Sequence, residues 1–179
     1  MKVDPALVQF FAENVRAEII TRPAGLKLDP AIVRKIAAKV KVFNGMSHDC
    51  LMSTLAMGEH RCFATGEVVF KEGDIGSSFH VLIAGEVVVE KARNGQAVPL
   101  ARLHRGECFG EMALVGKQLR SATVRALEGS ATMCFDRDRV DAYPASAHII
   151  YRNIARILSR RLDESSDTLA DLVQRHRQT

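Results

Sequence analysis

Apolar residues recur at helical spacing over residues 4–20, where Leu7, Val8, Phe11, Val15, Ile19 and Ile20 fall on one side. Pro5 suits the first turn of that helix, and the run Arg22, Pro23, Ala24, Gly25 breaks it. Asp29 and Pro30 open a second helix with Ile32, Val33, Ile36, Ala37 and Val40 on one face and Arg34, Lys35, Lys39 and Lys41 opposite, a basic face read as solvated surface. After a turn at Phe43 to Met46, Ser47 is placed to cap a third helix through Leu51, Leu55 and Met57.

From Arg61 the pattern changes to short runs of β-formers separated by glycine turns. Strands are expected at Val68 to Lys71, Phe79 to Ile83, Glu86 to Glu90, Val98 to Leu103, Glu107 to Phe109, Ala122 to Leu127 and Ala131 to Phe135. Such even spacing signals an all-β roll or sandwich. Past Asp136 the strands stop. A short helix is expected over Arg137 to Tyr143, ended or kinked by Pro144, and a long one from Ser146. Tyr151, Ile154, Leu158, Leu162, Ser165, Leu169 and Leu172 lie three or four residues apart along it. Its first half is expected to pack over the strands. The half past Leu162 is too long to be covered by a domain of this size, so it is expected to pair with the same helix of a second copy in a homodimer.

Composition narrows the function classes. A chain of 179 residues holds one good-sized core with helical appendages, and its net charge of +4 comes from scattered residues rather than a basic stripe for nucleic acid. No apolar run approaches the ~20 residues of a membrane span, and Lys2, Asp4 and Glu13 replace a secretory core, so no membrane span and a cytoplasmic location are expected. Cys50, Cys62, Cys108 and Cys134 form no Cys-x-x-Cys pair and read as reduced core thiols; the histidines lack metal-ligand spacing, and no metal or cofactor is expected.

The chemistry concentrates in residues 109–126. Gly110 admits a close backbone approach, residues 111–115 can form one helical turn whose free N–H groups attract an anion, and Arg120 supplies a planar fork for phosphate. Glu111 repels a phosphate and needs a hydroxyl donor, which a ribose 2'-OH provides. Phosphate and ribose together indicate a nucleotide.

The pattern Phe109-Gly110-Glu111, then Ala113-Leu114, then Arg120-Ser121-Ala122-Thr123-Val124, resembles the phosphate-binding cassette of cyclic-nucleotide-binding domains. Gly73-Asp74-Ile75-Gly76, followed by Phe79 and Gly85, resembles that family's strand-turn signature at the expected distance upstream. The resemblance covers roughly residues 43–160. It implies an α+β fold: an antiparallel β-roll of jelly-roll type, about eight strands, flanked by N-terminal helices and a long C-terminal helix. The organisation expected is an N-terminal helical region over 1–45, the β-roll over 46–145 and a lid or dimerisation helix over 146–179.

The ligand-contacting set implied by the resemblance is Gly110, Glu111, Met112, Ala113, Arg120, Ser121 and Ala122. Glu111 takes the ribose 2'-OH, Arg120 the exocyclic phosphate oxygens, and backbone N–H groups around Gly110, Ala113 and Ala122 complete the cradle. Val81, Ile83 and Val124 are expected along the base and sugar. Ser121 permits a hydrogen bond to the guanine 2-amino group, so cyclic GMP is admitted beside cyclic AMP. Departures are Leu119 for the usual proline, the added charge of Lys117, and Ser77 and His80 where the family more often has Asp and Tyr; the last two are expected to shape a turn and a strand.

The function expected is a stand-alone, non-enzymatic sensor of cyclic AMP or cyclic GMP whose C-terminal helix moves as a lid and signals to an unidentified protein effector. With Thr179 as its last residue, the chain is expected to lack the DNA-binding domain of ~60 to 70 residues found in receptor-type regulators. Arg156, Arg160 or Arg161 could reach the ligand from the lid, with surface charge the preferred reading of each. The competing class is an interaction module whose cassette no longer binds nucleotide usefully.

Overall fold

The computed structural model describes residues 38–116 and 119–176. The two N-terminal helices expected from the sequence, apart from residues 38–40, and Lys117 lie outside these residues. A 3-10 turn at Lys41–Phe43 leads into α1 (His48–Met57), where the Ser47 side chain accepts from the Cys50 N–H as expected of a cap. Eight strands follow: β1 (Glu59–Phe63), β2 (Val68–Phe70), β3 (Ser78–Ala84), β4 (Val87–Arg93), β5 (Gln96–Leu103), β6 (Cys108–Phe109), β7 (Thr123–Ala126) and β8 (Ser130–Asp136). The single turn α2 (Met112–Val115) interrupts them after β6, and α3 (Arg137–Asp141) and α4 (Pro144–His176) close the chain.

All pairings are antiparallel and form two four-stranded sheets, ordered β1-β8-β3-β6 and β2-β7-β4-β5. This is the β-roll that the glycine spacing and the resemblance imply. β1 is the strand absent from the sequence expectation. Its run Glu-His-Arg-Cys-Phe has no alternation, and it is held as an edge by pairing with β8 rather than by a buried face.

One core cluster lies where the helices meet the first sheet. Phe79 and Phe135 stack at 5.0 Å, Phe43 meets Phe135 edge-on at 5.6 Å, and Leu51, Ile150, Ile154 and Ile157 pack around them. Burial of each isoleucine contributes about 1.5–3 kcal/mol. A second cluster of Leu82, Val87, Leu103, Phe109 and Val124 fills the space between the sheets. Val81 belongs to the first cluster and Ile83 is buried in β3.

α4 starts at Pro144, two residues before the expected Ser146. Proline suits a first helical position because its missing N–H has no partner to lose there. Buried Asn153 ties the helix down by donating from Nδ2 to Val42 O (3.1 Å) and Asn44 O (2.7 Å), and Thr54 Oγ1 donates to Ser146 Oγ (2.9 Å). From Leu162 to His176 every residue is exposed.

Candidate functional site

A cleft enclosing about 90 Å³ opens between the second sheet, the turn α2 and the middle of α4. Its walls are Phe70, Val89, Phe109 and Val124 on the apolar side and residues 110–113, 120–122 and Arg161 on the polar side. Every ligand-contacting residue expected from the sequence therefore reaches one cavity: Gly110, Glu111, Met112, Ala113, Arg120, Ser121 and Ala122.

Arg120 follows the isolated bridge between Leu119 and Ile75 and is 7% exposed. Its backbone N–H donates to Asp74 O (2.8 Å), which fixes the loop to the Gly73–Gly76 turn. Nη1 donates to Ser78 O (2.5 Å) and Gly110 O (3.1 Å), Nη2 to Ser78 Oγ (3.0 Å), and the guanidinium carbon lies 4.1 Å from the centroid of Phe70. These oxygens are all neutral, so the hydrogen bonds fix the fork without cancelling its charge. Burial pulls the Arg120 pKa below its ordinary value.

The glycines of both motifs explain themselves here. A Cβ at Gly76 or Gly110 would come within 2.7 Å of the Arg120 guanidinium, and Gly110 also has φ +78°. Close approach is required as the sequence indicates, but the group approaching Gly110 in this structure is Arg120.

Below Arg120, His80 stacks on Phe109 at 5.1 Å and meets Phe70 at 6.1 Å, with Nδ1 3.1 Å from Thr132 Oγ1. Burial first, then the charges of Arg120 and Arg61, lower its pKa to about 3. The histidine is thus a neutral member of the floor, beyond the strand-shaping role read from sequence. Ser77 does shape its turn, with Oγ donating to Asp136 Oδ2 (2.9 Å).

Glu111 is 2% exposed at the start of α2. Oε1 accepts from Arg161 Nη1 (2.5 Å), while Oε2 is buried with no hydrogen-bond partner. Burial raises the Glu111 pKa; Arg161 is the largest influence pulling it back. Arg161 Nη2 also donates to Cys108 O (2.8 Å). Reading Arg161 as surface charge is therefore corrected, because its head reaches inward across the cleft. Arg160 does stay at the surface, 3.5 Å from Glu164.

The α2 turn shows how the cradle is used internally. The Ala113 N–H donates to Gly110 O (3.2 Å), so in this conformation it turns back on its own loop rather than toward the cleft. Ser121 Oγ lies at the rim, 3.3 Å from Met112 Sδ. Of the three residues expected along base and sugar, only Val124 lines the cleft; Val81 and Ile83 face the core, and Phe70, Val89 and Phe109 take the apolar wall instead. The core-thiol reading also divides: Cys108 is buried, with burial pushing its thiol up to about 12, but Cys62 is exposed on β1.

Sequence reasoning named Arg161 only alongside Arg156 and Arg160, and a signal that singles it out as a cleft residue existed. Ile150, Ile154 and Ile157 mark the buried stripe of α4 at helical spacing, and Arg161 is the next position on that stripe. A cation that continues a buried stripe needs an acceptor underneath.

Comparison with known proteins bears on the same region. The cyclic nucleotide-binding domain family matches residues 60–146. The cyclic AMP receptor protein of Thermus thermophilus is 30% identical over 125 residues, covering 69% of this chain and 58% of that protein. A cAMP-dependent protein kinase regulatory subunit of Blastocladiella emersonii is 41% identical over 69 residues, 38% of this chain and 17% of that one. The crystal structure of the Thermus thermophilus catabolite activator protein superposes with a TM-score of 0.68 at 29% identity, covering 74% of this chain and 62% of that one. The chain thus spans less than two thirds of the receptor-type proteins it resembles. The two motifs at family spacing, the eight-stranded roll that joins them and the cleft lined by the second agree with these matches, and residues 60–146 of this chain are a domain of the cyclic nucleotide-binding family.

Proposed function

We propose that this chain is a cytoplasmic, non-enzymatic sensor that binds cyclic AMP or cyclic GMP and passes the occupied state through α4 to a protein partner. One observation carries the reading: the cleft sets a buried guanidinium with only neutral hydrogen-bond partners beside a buried carboxylate with one oxygen unpartnered. The first calls for an anion and the second for a hydroxyl donor. A cyclic nucleotide offers both on one rigid ring system, with its base toward Phe70, Val89, Phe109 and Val124. Gly110, Met112, Ala113, Ser121 and Ala122 complete the contacting set, and Ser121 at the rim is where a guanine amino group would be read.

The cleft, at about 90 Å³, is well below the roughly 300 Å³ at which ligand pockets begin. Binding therefore requires a wall to yield. The strands are tied by antiparallel ladders, whereas α4 is exposed past Arg161, so the helix is the wall that moves. Its exposed leucines beyond that point form the seam through which two copies pair.

Calorimetric titration with cyclic AMP and cyclic GMP, with 5'-AMP as control, tests this reading. Micromolar or tighter binding of a cyclic nucleotide alone is expected, with the nucleotide recovered intact. Arg120→Ala is expected to weaken that binding by about 1.5–3 kcal/mol, roughly tenfold to over a hundredfold. Unchanged affinity in that variant refutes the phosphate role; no binding by the unmodified chain favours an interaction module instead.

A further inference from the structure

A sulfur atom stands at the mouth of the cleft. Met112, the residue after buried Glu111, is 49% exposed, whereas Met46 and Met57 are 8% and 7% exposed and Met52 and Met133 pack against the helical core. It is the one exposed methionine among the described residues. Its Sδ accepts from Ser121 Oγ at 3.3 Å. This contact joins the two arms of the cassette, because Met112 opens α2, Ser121 follows Arg120, and both line the cleft. A thioether is a weak acceptor, so the clasp between the arms is slight.

We propose that Met112 is an oxidisable site that sets the affinity of the cleft: a peroxide converts its thioether to a sulfoxide, and the sulfoxide weakens nucleotide binding. The effect on affinity rests on the nucleotide reading given above; the modification itself does not. A sulfur lone pair attacks one peroxide oxygen and forms the S–O bond as the O–O bond breaks. With hydrogen peroxide, the second oxygen leaves as hydroxide, takes the proton of the first and departs as water. The sulfur loses two electrons and the peroxide gains them. No other residue of the chain is required, so exposure of Sδ is what selects the site.

The product differs from the thioether in polarity and in size. Its oxygen is a strong acceptor, which tightens the hold on Ser121 Oγ and sets one more atom between the two arms. It also places a hydrated dipole beside Phe70, Val89, Phe109 and Val124, the wall assigned above to the base. Removing that water when a base enters costs free energy that the thioether does not demand.

The test exposes the purified chain to hydrogen peroxide and then to a thiol reductant, which reverses sulfenic acids and disulfides, so that Cys62, exposed on β1, does not contribute. Peptide mass mapping should show Met112 gaining one oxygen at least about tenfold faster than Met46 or Met57. Once Met112 is oxidised and those two are not, cyclic AMP should bind about tenfold more weakly than to the untreated chain. Met112→Leu should lose no more than about twofold of its own starting affinity on the same treatment, and methionine sulfoxide reductase should restore the oxidised chain. Oxidation of Met112 no faster than that of Met46 and Met57 overturns the proposal, as does unchanged or tighter binding after Met112 is oxidised. An equal loss in Met112→Leu overturns it too, since another group is then responsible. Should Met112→Leu bind too weakly before treatment to be compared, the reductase decides: affinity that stays lost after the sulfoxide is removed overturns the proposal. Absence of binding by the untreated chain overturns the nucleotide reading and this inference with it, whereas binding that survives oxidation of Met112 overturns this inference alone.

Discussion

The floor and the lid of the cleft each present one arginine, and they are built on opposite terms. Arg120 sits in the floor, over Phe70 and above the stack of His80 on Phe109, with its hydrogen bonds taken by backbone and a serine hydroxyl. Arg161 hangs from a helix whose next residues are all exposed, and its partner carboxylate is only half used. The floor is ordered by contacts within the roll itself. The lid's base is packed in the helical core, and it reaches the cleft through one side chain, Arg161. On the function proposed above, a site made this way has a rigid half that recognises and a marginal half that responds.

The largest test of this contrast is to remove part of the floor. Phe109→Ala deletes a 2% exposed ring from the second core cluster and from beneath the cleft, and should cost about 3–5 kcal/mol in urea-induced unfolding. A much smaller loss would mean that the floor is not the ordered half.

The next effect is acid sensitivity. His80 titrates near 3 in the folded chain against an ordinary 6.5, so between these values the unfolded state holds the proton and the folded state does not. Stability from this group is complete above about pH 6.5 and falls as pH drops toward 3, by at most about 1.4 kcal/mol per unit. Melting curves at pH 7 and 5 should show this loss, and His80→Gln should flatten the slope by about one proton. An unchanged slope would place the titrating group elsewhere than in the floor.

The smallest effect belongs to the far end of the lid. Leu169→Ala, at a position 63% exposed, should change stability by less than about 0.5 kcal/mol in dilute protein. A larger loss, together with a midpoint that rises with protein concentration, would show this part of the helix covered in an assembly.

The residues on which the sequence was most informative are those whose chemistry is local. Glycine at 110, the acid at 111 and the arginine at 120 stand at fixed spacing in turns and arrive in one cleft because the turns do, while Gly76 backs the Arg120 guanidinium. Turn geometry depends on a few neighbouring residues, and those are visible in order along the chain. The apolar wall was less legible. Val81 and Val124 look alike in sequence, but one faces the helical core and the other the cleft, a choice made by sheet register. β1 was missed because pairing with β8, distant in sequence, is what makes those residues a strand. Arg161 required knowing which stripe of α4 lies down on the roll; Glu111 is fifty residues earlier and gives no sign of needing it.

The exposed end of α4 has a mechanical consequence. From Leu162 to His176 the helix extends roughly 22 Å beyond its last anchorage. A straight helix of that length works as a pointer: a tilt of about 10° at Arg161 sweeps its tip through roughly 4 Å. A displacement of one side chain at the anchorage is thereby magnified to the scale of a surface that another molecule can distinguish.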